Sequence, residues 1–85
     1  MDFGDALKLM KQGSYVARKG WNGKNMYIGI TYPDIDNRAT KPYISMKTAD
    51  NEIIPWLASQ TDVLADDWFE VPYRNDMLLL SAQTY

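Results

Sequence analysis

Asn22-Gly23 stands between two short runs of alternating apolar residues, a combination that commits this part of the chain to an antiparallel hairpin. Both residues tolerate positive φ, which a tight reversal between twisted strands requires. Ser14 to Lys19 reads as the first strand, with Tyr15, Val16 and Ala17 as its apolar members. On the return, Met26, Ile28, Ile30 and Tyr32 share one face, and Tyr27, Gly29 and Thr31 share the other. Gly29 inside that strand predicts a bulge or a close approach to the backbone.

The flanking segments extend this sheet. Phe3, Ala6, Leu7 and Met10 recur at helical spacing, with Asp2 as N-cap and Gly13 as terminator, so a helix is predicted over residues 3–12. Residues 33–42 are polar and read as a loop. Tyr43 to Thr48 alternates again, Ala49-Asp50-Asn51 turns the chain, and Glu52 to Ile54 returns as an edge strand stopped by Pro55. Ser59 and Asp62 have capping-box spacing, which predicts a short helix over residues 60–66. Trp68 to Val71 is a last strand ending at Pro72. The fold class is therefore α+β: a small antiparallel sheet of hairpins with an N-terminal helix and a second short helix, in a single ligand-binding domain over residues 1–72. Residues 73–85 form a C-terminal extension whose apolar run, Met77-Leu78-Leu79-Leu80, either docks as a strand or packs on another subunit.

At 85 residues and 46% hydrophobic, the chain makes one domain with a core that is marginal on its own. Cysteine is absent, which removes disulfides, thiolate metal sites and thiol nucleophiles. Histidine is absent too, and with it the commonest general base and transition-metal ligand. Two short helices cannot cover both faces of the sheet, so self-association is the expected source of further stability.

Nine Lys and Arg against eleven Asp and Glu give a net charge of −2, with the cations scattered along the chain. A duplex-binding domain of this size normally carries a basic stripe, so long nucleic acid is not an expected partner. One small anion needs only one or two cations and remains compatible. No run approaches ~20 apolar residues, and Met1-Asp2-Phe3-Gly4-Asp5 lacks the features of a signal peptide, so a membrane is not expected and a cytoplasmic protein is.

Catalytic material is thin. Asp66 and Asp67 are adjacent and point to different faces, which fits solvated acids better than a shared acid/base or Mg²⁺ site. Asp34-Ile35-Asp36-Asn37 lacks the glycine and closing glutamate of a calcium loop. Ser14, Ser45, Ser59 and Ser81 have neither a histidine nor a Ser-x-x-Lys lysine to activate them.

Binding material is richer. Arg18-Lys19-Gly20-Trp21-Asn22-Gly23-Lys24 gathers cations, an indole and an amide on one turn. An aromatic face can stack a base for ~1–3 kcal/mol, and Arg or Lys can meet a phosphate. Trp21 equally suits a corner of the core, with Lys19 and Lys24 solvated. In Pro55-Trp56-Leu57-Ala58-Ser59-Gln60-Thr61-Asp62, a helix start and its Ser, Gln and Thr side chains offer hydrogen-bond donors to ribose or phosphate, or simply cap the helix.

At these same positions the chain resembles a known family. Phe3-Gly4-Asp5-Ala6-Leu7, Val16-Ala17-Arg18, Gly20-Trp21-Asn22-Gly23-Lys24, Met26-Tyr27, Pro42-Tyr43-Ile44, Met46-Lys47-Thr48-Ala49-Asp50, the Pro55-to-Asp62 segment and Asp67-Trp68 together resemble the Thoeris anti-defence two family of small phage and prophage proteins. The likeness runs from about residue 3 to residue 71. It implies a non-catalytic sponge, needing no cofactor or metal, that binds a cyclic ADP-ribose isomer, in some members also cyclic dinucleotides, and withholds it from the Thoeris effector. It also implies a homotetramer with pockets at subunit interfaces, acting in the cytoplasm of the bacterial host.

The roles carried by that resemblance are specific. Trp21 would stack on adenine, Arg18 and Lys24 would neutralise the pyrophosphate, and Asn22 would bond ribose or base. Ser59, Gln60 and Thr61 would supply donors, while Asp62 would take a ribose hydroxyl or cap the helix. Two competing readings are a metal-dependent phosphodiester hydrolase using Asp62, Asp66 or Asp67, and a structural phage accessory protein.

Overall fold

A computed structural model describes residues 1–22, 24–33 and 40–80. Gly23, the Asp34-to-Asn37 segment and residues 81–85 with Ser81 lie outside the described residues. No helix among those described is long and apolar enough to cross a membrane.

Helix α1 spans Phe3–Lys11. Asp2 caps it by accepting the Asp5 N–H at 2.8 Å, and the chain leaves it through Gly13 at φ 98°, a conformation glycine adopts without strain. Its apolar stripe buries Ala6 and Met10. The strands are β1 (Tyr15–Arg18), β2 (Tyr27–Thr31), β3 (Tyr43–Lys47), β4 (Ile53–Pro55) and β5 (Trp68–Val71). They form one antiparallel sheet in the order β4-β3-β2-β1-β5. A short helix α2, Gln60–Leu64, precedes β5. The α+β architecture is that predicted from the sequence.

Local bounds differ slightly from those predicted. β1 and β2 pair as the hairpin signal predicts, with Val16 opposite Ile28. Residues 19–26 form the connection, beginning with a 3-10 turn over Lys19–Trp21. Asn22 and Asn25 take positive φ, at 58° and 55°, the conformation expected of asparagine in a turn. Helix α2 is also shorter than predicted: at Ala65 the backbone is already extended and the chain turns into β5.

Alternation along the strands gives the sheet two covered faces. On the first, α1 packs over Val16, Ile28 and Trp68, joined by an aromatic group in which Phe3 lies 5.3 Å from Trp68 and 5.9 Å from Trp56. On the second, the Tyr15 and Tyr27 rings stack at 5.0 Å beside Ala17 and Leu80. Gly29 makes that stack possible, because a Cβ there would lie 2.6 Å from Tyr15 Cδ1. The β2–β3 register is unbroken through Gly29, so the glycine marks a close approach and no bulge.

Residues 72–80 contain no strand; they run over this second face. Three side-chain hydroxyls hold them: Tyr27 donates to the Leu78 carbonyl at 2.6 Å, Thr31 donates to the Leu80 carbonyl at 2.6 Å, and Tyr15 accepts the Leu80 N–H at 3.0 Å. Leu80 is buried, whereas Leu79 is exposed. Elsewhere Leu57 and Leu64 are 92% and 81% exposed, and both isoleucines of β4 are exposed, so apolar surface is left for further contact.

Candidate functional site

The end of β1 and the turn after it are fixed by Asp67. Its backbone carbonyl accepts the Lys19 N–H at 3.1 Å, and its carboxylate accepts the Gly20 N–H at 2.8 Å. A side chain at residue 20 would crowd this arrangement, since a Cβ would lie 2.9 Å from Arg18 Nη2 and 3.0 Å from Asp67 Oδ2. The turn delivers Trp21 edge-on to Trp68, with ring centroids 5.4 Å apart and planes at 80°. Trp21 is half-buried. Both sequence-based readings of it thus meet in one residue: an edge in the core and a surface on a cavity.

Arg18 lies between two acids. Its Nη1 donates to Asp62 Oδ1 and its Nε to Asp67 Oδ1, both at 2.8 Å, with side chains only partly exposed. Asp62 also accepts from Ser59 Oγ at 2.9 Å and, at a long 3.4 Å, from Trp21 Nε1. Its backbone carbonyl takes the Trp68 indole N–H at 3.0 Å. Burial opposes the Asp62 charge, but hydrogen bonds from Arg18, Ser59 and Trp21 together outweigh it and hold its pKa below the ordinary carboxylate range. Hydrogen bonding to Arg18 does the same for Asp67, helped by the Gly20 N–H and opposed by partial desolvation. In return Asp67 and Asp62, against burial, raise the Arg18 pKa. Three of the five guanidinium N–H groups point at these carboxylates, so much of the charge that the resemblance assigns to a pyrophosphate is engaged within the chain.

A cavity of about 490 Å³ opens beside this cluster. Trp21, Tyr27 and Phe69 give it aromatic walls, and Asn22 and Asn25 give it amides. Arg18, Lys19, Lys24 and Arg74 are the ionisable cations on its lining, and among the described residues no carboxylate lines it. For a chain of net charge −2 this is a local reversal of sign, and it suits an anion with a planar, apolar part. A second cavity of about 500 Å³ lies by Ser14, Tyr15, Met77 and Leu79, with the Glu70 carboxylate on its lining and, among the described residues, no Lys or Arg. That polarity disfavours an anion.

The sequence-predicted residues divide accordingly. Arg18, Trp21, Asn22 and Lys24 line the cationic cavity. Asp62 reaches the group only through Arg18 and Trp21. Ser59 caps α2, accepting the Asp62 N–H at 3.1 Å, and with Gln60 lines a separate shallow recess beside Val63 and Leu64. Thr61 is exposed on neither lining. Within one chain the two candidate segments meet at Asp62 and do not face each other across one space.

Sequence reasoning missed Tyr27, Phe69 and Arg74 on the cavity wall and assigned Lys19, within the candidate segment, no role of its own. Strand alternation places Tyr27 beside Ala17 on the second face, a signal that was readable. Nothing in the local sequence brings Arg74 to the same place.

Comparison with known proteins identifies the family. Residues 1–71 match the Thoeris anti-defense 2-like domain family. The chain is also 44% identical over 81 residues to Thoeris anti-defense 2 of Bacillus phage SP01, covering 80% of this chain and 91% of that protein. With the family match spanning the helix, all five strands and the Trp21 turn, the chain belongs to the Thoeris anti-defense 2-like family.

Proposed function

We propose that the protein is a non-catalytic sponge that captures a cyclic ADP-ribose-type signalling nucleotide in the cationic cavity and withholds it from the Thoeris effector. The observation that carries this reading is the cavity itself, where an indole, two amides and three cations not tied to Asp62 or Asp67 line a space to which no carboxylate among the described residues contributes. Trp21 stacks on the adenine, Asn22 bonds ribose or base, and Lys24 meets the pyrophosphate. Such contacts suit a phosphorylated sugar-base: stacking contributes ~1–3 kcal/mol and charge-assisted bonds to phosphate about 1.5–3 kcal/mol each.

Arg18 takes a different part from the one first expected, holding the Trp21 turn to α2 rather than neutralising phosphate. Asp62 and Asp67 serve the same cluster, which leaves them poorly placed to act as the acid, base or metal ligands of a hydrolase. Ser59, Gln60 and Thr61 face outward, so they reach a ligand only when a second copy brings them to it. A homotetramer with pockets between subunits provides that arrangement, and the exposed Leu57 and Leu64 beside them supply apolar contact area. Cyclic dinucleotides share the anionic, base-bearing chemistry and are expected as further ligands. The place of action is the cytoplasm of the bacterial host.

The test is recovery of intact ligand. Protein is mixed with a cyclic ADP-ribose isomer, the depleted supernatant is assayed, and the protein is then heat-denatured. A sponge depletes the solution and returns unchanged nucleotide on heating. Altered nucleotide would identify an enzyme, and no depletion a structural accessory protein.

A further inference from the structure

Residues 72–80 lie beyond the family match, yet they complete the wall of the cationic cavity. We infer that this strap is a working part of the binding site and that Arg74, which it carries, is a phosphate-contacting residue on the cavity that the Trp21 turn also lines. The inference rests on the sponge reading and adds to it a residue and a positioning device.

Three observations converge on Arg74. It lines the same cavity as Trp21, Asn22 and Lys24. Its Nε is paired with Asp76 Oδ1 at 3.2 Å, an exposed contact that orients the guanidinium, while among the described residues its two Nη groups make no hydrogen bond. The backbone around it is also set: the Met77 N–H donates to the Arg74 carbonyl at 3.1 Å, and the Arg74 N–H points to Met77 Sδ at 3.0 Å. A guanidinium on a cavity lining, its Nη groups unbonded among the described residues, is suited to two oxygens of one phosphate.

Tyr15 and Thr31 bind Leu80 from outside the cavity lining, and Gly29 leaves the room that Leu80 occupies. The hydroxyl contacts to Leu78 and Leu80 pin the strap to the sheet face, and the turn at 74–77 holds Arg74 relative to that anchor. Arg74 is thereby the binding residue, and Tyr15 and Thr31 are positioning residues.

Calorimetric titrations of the full chain with cyclic ADP-ribose and, separately, with inorganic pyrophosphate test this. Arg74→Ala is expected to weaken both at least tenfold and to flatten the salt dependence, with Arg74→Lys recovering part of the loss. The double variant Tyr15→Phe, Thr31→Val is expected to weaken binding in the wild-type background and to add little in the Arg74→Ala background, which a general loss of stability would not produce. Unchanged affinity in Arg74→Ala, with tight wild-type binding of cyclic ADP-ribose, would overturn the inference and leave the sponge reading intact. Arg74-dependent binding of pyrophosphate without any binding of cyclic ADP-ribose would uphold the anion site and overturn the sponge reading. Binding of neither probe would overturn both.

Discussion

Arg18 Nη1 donates to Asp62 Oδ1 at 2.8 Å across 44 residues of sequence, tying the end of β1 to the first turn of α2. Removing one member of a shielded ion pair leaves the other without its partner, which costs more than the pair contributes to stability. Arg18→Ala is therefore expected to destabilise the fold by about 2–3 kcal/mol, measured by urea unfolding. A loss below about 0.5 kcal/mol would mean the pair is no more than a surface contact.

The same cluster predicts an acid-sensitive fold. Asp62 and Asp67 have pKa values depressed in the folded state, while the unfolded chain returns them to about 3.9. Below that region the unfolded chain binds more protons, so stability falls as pH falls. Their contribution is complete above about pH 5 and is lost progressively from there through the lowered folded-state values. Unfolding free energies between pH 3 and 7 should show this drop, and Arg18→Ala should make it shallower. An equal slope in both proteins would place the acid sensitivity elsewhere.

Gly29→Ala tests the packing beneath the strap. The new Cβ would lie 2.6 and 2.9 Å from two Tyr15 ring carbons and 3.1 Å from Leu80 Cδ1. The Tyr15 ring must move, disturbing both its stack on Tyr27 and its bond to Leu80. Overpacking of this kind costs about 1–3 kcal/mol, and amide hydrogen exchange should quicken at Leu80. Unaltered exchange there would show that the strap does not depend on this contact.

The sequence carried the parts of this fold that depend on neighbours. Phe3, Ala6, Leu7 and Met10 place α1, and Ser59 with Asp62 places the start of α2, because periodicity and capping act within a few residues. Strand alternation placed β1 to β5 for the same reason. Arg18 shows where local reading stops: next to Trp21 and Lys24 it looks like a ligand cation, and only the fold brings Asp62 and Asp67 to it. The strap shows the same limit, since its apolar run has no period and is held by hydroxyls of Tyr15, Tyr27 and Thr31 from distant strands.

Trp21 divides stability from binding. Trp21→Ala removes the edge contact with Trp68 and the stacking surface together, and should weaken nucleotide binding at least tenfold while costing about 2 kcal/mol of stability. Trp21→Phe keeps a ring in the core and should fold normally with a smaller loss of affinity. Calorimetry on both, with thermal unfolding alongside, separates the effects. A folded Trp21→Ala protein with unchanged affinity would remove the indole from the site.

A crystal structure with a cyclic ADP-ribose isomer bound tests the central claim most directly. The account predicts an intact ring, with adenine against Trp21 and the pyrophosphate beside Lys24 and Arg74. Ligand bound away from this cavity, or opened within it, would contradict the account.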